Sequence, residues 1–475
     1  MTAPLAYTAA TELCRMVRAR QLSPVELIRG TLERIETCQP TLNGFITVCA
    51  DEAMDAAQRA EQAVVNGDEL GPLHGIPFTV KDLIDTEGVR TTMGSYIFEH
   101  HVPRQDAISV ARLKAAGGIL VGKTTTPEFG HKPFTRAPLF GETPNVWNSD
   151  RVSGGSSGGA AVCAAAGLAA LNLGTDGGGS IRIPAAVNGI FGIKPSLGTV
   201  PHLARDSFGA NKLVGPMTRT VADAALMLQV TAGPHPDDVH SAGRRVHDLV
   251  TAAAEPADVS GMRIAWRPLL GNQIVDSGVA ALVQDAVDAF EQQGAQVTLV
   301  DDGFQTPEPM WRALMQASWR ARFGGYVAEW GDRMTPTFLR SITEAESYPV
   351  EELQQAIYQR TLLFRQVQSW FQEFDLVLTP VITRTALESD RDLYDPVVIE
   401  GRDVGGIRQN WTPYTHPFNL TGHPAASVPV GFADDGLPVA LQIIGPYAEE
   451  AAVLSAAAFF EQMRPWAQHT PDLDE

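Results

Sequence analysis

Between Gly154 and Ser196 the chain reads GGSSGGAAVCAAAGLAALNLGTDGGGSIRIPAAVNGIFGIKPS, a stretch of glycine, serine and alanine with almost no bulky polar side chain. Glycine tolerates positive φ and has no Cβ to hold a ligand away, so such a stretch lets bare N–H groups and small hydroxyls approach a substrate carbonyl. Two serines in it stand in different surroundings. Ser156 lies in Gly154-Gly155-Ser156-Ser157-Gly158-Gly159, ahead of a small-residue run, Ala160 to Gly167, that predicts a closely packed helix with Cys163 as one more small buried side chain. Ser180 closes Gly177-Gly178-Gly179-Ser180, after an apolar stretch, Leu168 to Leu173, that reads as a strand or helix end. Three glycines before a serine can form a nest of N–H donors, which is what a developing oxyanion requires. Ser180 is therefore the candidate nucleophile.

A serine hydroxyl is a weak nucleophile and needs a base, usually a histidine but sometimes a lysine kept neutral. Lys81 is the best lysine for that role. It ends Gly75-Ile76-Pro77-Phe78-Thr79-Val80-Lys81-Asp82, a short apolar strand opened by proline, so its ammonium would emerge from a buried sheet. Lowering a lysine pKa from about 10.4 by roughly 3 units costs about 4 kcal/mol, and burial can supply a shift of that size.

Lys81 in its VKD context, GGSSGG around Ser156 and GTDGGGSIRIPA around Ser180 together resemble the amidase signature family. LSPVELIRGTLERIE, GPLHGIPFTVKD, LVGKTTTPEFG, PFNLTGHPAASVPVG and GLPVALQIIGP extend the resemblance over most of the chain, thinning between about residues 235 and 410. The resemblance implies an α/β fold with a large mixed, twisted β-sheet core covered on both faces by α-helices. It also implies a Ser-cisSer-Lys triad: Ser180 as nucleophile, Ser156 preceded by a cis peptide bond, and Lys81 as base. Backbone N–H groups of Gly177, Gly178, Gly179 and Ser180 would form the oxyanion hole, supported by Ser157, Asp176 and Arg182 behind the loop, where a carboxylate and a guanidinium can pair. Gly177 departs from the family's pattern, in which threonine is common. The implied activity is hydrolysis of carboxylic amides through an acyl-enzyme, with anilides, carbamates or esters as further substrates and with no cofactor and no metal. The alternative within the family is the glutaminase component of the tRNA-dependent amidotransferase, which works with partner proteins.

Two other motifs point elsewhere and fail on context. Gly117 to Thr124 matches the phosphate-loop pattern G-x-x-x-x-G-K-[ST], yet a helical stretch, Ala107 to Ala116, precedes it and a strand, Ile119 to Val121, follows, the reverse of the order a phosphate loop needs. Gly154-Gly155-Ser156-Ser157-Gly158 matches the G-x-S-x-G elbow of α/β hydrolases, with histidines downstream as possible bases. An elbow requires a strand directly before its serine, and Asn145 to Ser153 is polar and turn-like.

The elements around these residues alternate. Ser23-Pro24-Val25-Glu26 predicts a capping box, with Val25, Ile28, Leu32 and Ile35 on one face of the following helix. Helix Ala53 to Val65 leads to the strand bearing Lys81, and strand Arg263 to Trp266, helix Val279 to Gln293 and strand Gln296 to Val300 form a further α/β unit. The whole reads as one domain, 1–475: an N-terminal helical layer to about 70, a signature core at about 71–230, a variable substrate-selecting region at about 235–410 and a return to the core at about 411–475. In the variable region Trp311, Trp319, Phe323, Tyr326 and Trp330 are spaced so that most share a helical face, a pattern that usually means core packing. Phe134, Tyr394 and Trp411 are the candidate substrate-binding aromatics, Phe134 falling in the pocket-rim segment Thr126 to Thr135.

Composition sets outer limits. With 475 residues, 44% hydrophobic, 19% charged and a net charge of −19, the chain has material for a large core and lacks the basic stripes of a nucleic-acid surface. Its four cysteines, Cys14, Cys38, Cys49 and Cys163, show no paired or metal-ligand spacing, which together with the absence of a leader pattern or membrane-length apolar run leads us to expect a cytoplasmic protein. The expected partner is a small amide, with no nucleic acid and no membrane, and the expected state a monomer or homodimer.

Overall fold

Strand Pro77–Lys81, five residues with every side chain buried, is too apolar to sit at a sheet edge and is paired on both sides in the computed structural model, which describes residues 3–203 and 213–473. It belongs to an eleven-stranded sheet. In chain order its strands are β1 (Phe45–Val48), β2 (Pro77–Lys81), β3 (Ile119–Thr124), β4 (Leu171–Asp176), β5 (Phe191–Lys194), β6 (Leu213–Thr218), β7 (Arg263–Trp266), β8 (Gln296–Leu299), β9 (Leu376–Pro380), β10 (Ala425–Phe432) and β11 (Pro438–Ile444). They lie side by side in the order β1-β3-β2-β4-β6-β5-β10-β11-β9-β7-β8. Strands β3, β2 and β4 are parallel, as are β9, β7 and β8, and the segment between these triplets is antiparallel. The expected mixed sheet is thus present, and the α/β unit at 263–300 extends the same sheet at its far edge.

Register decides what the sheet can do. Phe78 pairs with Leu171, Thr79 with Asn172 and Val80 with Leu173, so the chain leaves β2 at Lys81 beside the place where β4 delivers Thr175 and Asp176. Open sheets bind ligands at the carboxyl ends of parallel strands, and here two such ends adjoin.

Helices cover the sheet because each carries an apolar stripe that only burial satisfies. Helix Pro24–Leu42 starts with the predicted capping box: the Ser23 hydroxyl accepts from the N–H groups of Val25 (3.0 Å) and Glu26 (3.3 Å), and the Glu26 carboxylate accepts from the Ser23 N–H. The small-residue run forms helix Gly158–Ala165, all eight residues buried, packed against β4 and against helix Arg182–Asn188. Cys163 is fully buried there, and all four cysteines are free and buried. The aromatic face expected over 311–330 is shorter in the structure: helix Glu308–Phe323 ends at Phe323, and Tyr326 and Trp330 fall on separate short turns. Around the supposed phosphate loop, helix Ile108–Ala115 precedes β3, in agreement with the helix-then-strand order. Among the described residues no helix is long and apolar enough to cross a membrane.

Candidate active site

Strand β2 ends in a lysine with no exposed surface, whose amine has to find its hydrogen-bond partners inside the protein. Lys81 Nζ lies within hydrogen-bond distance of Ser156 Oγ (2.7 Å), Ser157 Oγ (2.8 Å) and Thr175 Oγ1 (3.0 Å). Ser156 and Ser157 arrive on the loop before helix Gly158–Ala165, and the Gly155–Ser156 peptide bond is cis, as the family resemblance implied. Ser157 is locked further: its hydroxyl donates to Thr175 O (3.1 Å) and accepts from Thr175 N–H (3.3 Å), and its own N–H donates to Ser180 O (3.2 Å). Thr175 carries no distinguishing mark in the sequence, where it is one more small residue in GTDGGG; only the pairing of β2 with β4 brings it to the lysine.

From β4 the chain enters the loop Gly177-Gly178-Gly179-Ser180. Its shape is imposed from behind by Asp176. Oδ1 of Asp176 accepts from the Gly179 N–H (2.7 Å), from Arg182 Nη2 (3.0 Å) and from Asn419 Nδ2 (2.8 Å); Oδ2 accepts from Arg182 Nε (3.0 Å) and the Ile181 N–H (3.2 Å). Burial alone would raise this carboxyl, but the charge and hydrogen bonds of Arg182 outweigh it and hold Asp176 well below the usual carboxylate range. Arg182, itself without exposed surface, is completed by Gln442 Oε1 (2.6 Å) and Asn419 Oδ1 (2.7 Å). The loop is clamped in front as well, where Trp311 Nε1 donates to Gly177 O and Thr415 Oγ1 to Gly178 O, each at 2.7 Å. A Cβ on Gly178 would stand 2.5 Å from the Trp311 ring, and one on Gly179, whose φ is +114°, 2.4 Å from Thr415 Oγ1. Both positions therefore require glycine. One expectation needs refinement: the Gly179 N–H is turned back onto Asp176, while the N–H groups of Gly177, Gly178 and Ser180 have no acceptor among the described residues.

Ser156, Thr175, Gly177, Gly178 and Ser180 line one cavity, which with its open mouth encloses about 540 Å³. Its apolar wall is Leu83, Phe129, Ile183, Trp311, Met315 and Trp319, and the Thr126 to Thr135 segment contributes Phe129 to Pro133. The three aromatics expected to bind substrate do not line it. Trp411 is buried, stacked on Phe134 at 5.9 Å with its Nε1 donating to Arg384 O, so both rings are core. Tyr394 lies outside, its ring under Arg340 and its hydroxyl on Ser341. Conversely, Trp311 and Trp319, which the helical pattern assigns to packing, both pack and face the cavity.

Two further cavity residues, Arg408 and His416, carried no signal in the sequence. His416 stacks on Trp311 (5.4 Å), and burial, aided by the charge of Arg408, pushes its pKa down to about 3, so it is neutral at physiological pH. The Arg408 guanidinium lies over Trp311 (4.9 Å) and donates to His131 O.

Residues 26–454 match the family model named Amidase. The chain belongs to the amidase signature family. It is similar to the acylamidase of Rhodococcus erythropolis, 35% identical over 473 residues that cover 98% of each chain. It is also similar to a component of the glutamyl-tRNA(Gln) amidotransferase of Carboxydothermus hydrogenoformans, 34% identical over 99% of this chain and 100% of that one. Among solved structures, a bacterial aryl acylamidase of the amidase signature family superposes with a TM-score of 0.92 at 30% identity over 98% of both chains. The peptide amidase of Stenotrophomonas maltophilia does so with a TM-score of 0.83 at 27% identity, over 98% of this chain and 99% of that one. The protein is thus an amidase, a hydrolase of carboxylic amides.

Proposed function

We propose that this amidase works through Ser180, Ser156 and Lys81. Ser180 Oγ attacks the amide carbonyl carbon and gives its proton to Ser156 Oγ, as Ser156 passes its own to the neutral Lys81 amine. The carbonyl oxygen, now anionic, is received by the free N–H groups of Gly177, Gly178 and Ser180. The proton returns by the same path to the leaving nitrogen, which must be protonated before the C–N bond breaks. Water then repeats the sequence on the acyl-enzyme and releases the acid. The observation that carries this reading is the 2.7 Å contact between Lys81 Nζ and Ser156 Oγ on the wall of the cavity that Ser180 also lines.

The substrates we propose are small acyl anilides and related amides, as the names of the acylamidase and aryl acylamidase relatives suggest and as the aromatic wall accommodates. A second reading, the glutaminase component of an amidotransferase, rests on relatives such as that of Carboxydothermus hydrogenoformans. Glutamine carries an α-ammonium, and no Asp or Glu lines this cavity to receive it. We place the enzyme in an aqueous compartment, acting alone or as a homodimer and as one continuous domain.

The test is a purified chain assayed on a 4-nitroanilide panel, without tRNA or partner proteins, together with mass-spectrometric location of a fluorophosphonate label. Activity alone, a label on Ser180, and loss of both in Ser180→Ala are the expected results. Labelling elsewhere, or activity that survives Ser180→Ala, rejects the assignment; glutaminase activity that appears only with tRNA and partners selects the second reading.

A further inference from the structure

The charge of the cavity is opposite to that of the protein. The chain carries −19, yet the cavity wall contains Arg408 and Lys132 and no carboxylate. Lys132 has a counter-ion, Asp392 at 3.6 Å. Arg408 has none in contact: among the described residues no carboxylate lies within 4 Å of it, the charges of Glu308 and Glu344 act on it from farther off, and its side chain donates to the His131 carbonyl. A guanidinium has five N–H donors; Arg408 is half-buried on the cavity wall, so those not on the carbonyl are available to a ligand there. Beside it Trp319, 3% exposed, has its ring centroid 5.8 Å from the Arg408 guanidinium and an indole N–H with no partner among the described residues. On the same wall the His416 ring, 2% exposed, is held by the backbone of Gly178 and Arg408, and its Nε2 has no hydrogen-bond partner among the described residues. Buried donors are ordinarily paired, and an unpartnered indole N–H beside an open guanidinium on one wall is placed to meet an acceptor brought from outside.

The geometry points to a carboxylate on the acyl part of the substrate, bound by Arg408 and the Trp319 N–H, so that the preferred substrates are monoamides of dicarboxylic acids. This deepens the reading of Ser180 as nucleophile and rests on it. The apolar stretch formed by Phe129, Trp311 and Met315 takes the spacer between the two carbonyl carbons. Arg408 keeps its charge in this setting, since burial lowers it only to about 10. A planar guanidinium is suited to a carboxylate, and lysine at this position would replace a fork by a point charge.

The experiment compares three 4-nitroanilides of matched shape: glutaryl, 5-methylhexanoyl, in which an isopropyl group replaces the carboxylate, and 4-carbamoylbutanoyl, a neutral acceptor. For the wild-type protein we expect kcat/KM to favour glutaryl over 5-methylhexanoyl at least tenfold, with the carbamoyl compound between them. In Arg408→Met that ratio falls at least thirtyfold, in Arg408→Lys less, and in Trp319→Phe about fivefold, whatever the absolute rates. Glutarate also inhibits the wild type more strongly than 5-methylhexanoate, an arm that needs no variant to fold. A wild-type ratio of one or less, or a ratio unmoved by Arg408→Met, overturns the proposal. So does hydrolysis of none of the three anilides while a small neutral fluorophosphonate still labels Ser180. If the label itself fails to reach Ser180, it is the nucleophile assignment that falls.

Discussion

Replacing Asp176 by asparagine removes one charge and otherwise changes little volume, so its effects isolate what that carboxylate does. Six donors converge on it: two from the Arg182 guanidinium, one from Asn419 and the N–H groups of Gly179, Ile181 and Arg182. An amide has one accepting oxygen and turns its NH₂ toward donors, and Arg182 is left as a buried cation held only by Gln442 and Asn419. Breaking a buried pair from one side costs about 3–5 kcal/mol. We therefore expect the urea midpoint of Asp176→Asn at pH 7 to fall by the equivalent of about 3–5 kcal/mol at unchanged slope. The Gly179 anchor is lost with it, and the loop that presents the oxyanion donors relaxes, so kcat falls about 10²–10³-fold, as when such a donor is removed outright. The wild-type stability supplied by Asp176 also has a defined pH window. Its folded pKa lies below the unfolded value, so the contribution is whole above about pH 4 and disappears only as pH falls through the folded value. Asp176→Asn should thus approach wild-type stability in acid and diverge from it above about pH 4. A loss below about 1 kcal/mol at pH 7, or a kcat within tenfold of wild type, would refute the account of the loop.

Other substitutions probe separate parts of the molecule. Gly178→Ala drives a methyl into the Trp311 ring, 2.5 Å away in the undisturbed structure; overpacking should cost about 1–3 kcal/mol, with kcat/KM at least a hundredfold lower and a shift in tryptophan emission. Lys81→Met keeps the length of a side chain with no exposed surface, so the protein should fold with a melting temperature near or above that of wild type, while steady-state assays show a fall in kcat of about 10³-fold or more. Ser23→Ala removes the cap of helix Pro24–Leu42 and should cost about 1 kcal/mol in urea denaturation without altering kcat.

The residues to which we assign the chemistry were legible because their types are constrained locally: a lysine at the end of an apolar strand, serines among glycines and an Asp–Arg pair around the loop. The helix and strand boundaries near them follow from short-range patterns, such as the Ser23 capping box, and agree with the structure within a few residues. The cavity wall was not legible in the same way. Trp311 and Trp319 look like any helical aromatic stripe, and only the packing of their helix over a loop 134 residues earlier turns two rings toward Ser180. Trp411 and Phe134, placed in irregular sequence, find each other instead and stack in the core. Arg408 follows a short hairpin, and nothing in its neighbours announces that its side chain reaches His131, 277 residues away along the chain. Thr175 shows the same limit on a smaller scale, since its role depends on strand register.

The clamp on the loop also has a temporal consequence. Lys81, Ser156 and Ser180 leave the ribosome early, but the groups that complete Arg182 stand on the segment before β10 and on β11, the latter 260 residues downstream. Until those strands have been synthesised and docked between β5 and β9, the guanidinium under the loop has no finished shell. A chain that stops ahead of Gln442 lacks one of the two groups that complete Arg182, and we expect it to hold the residues of a hydrolase without the activity of one.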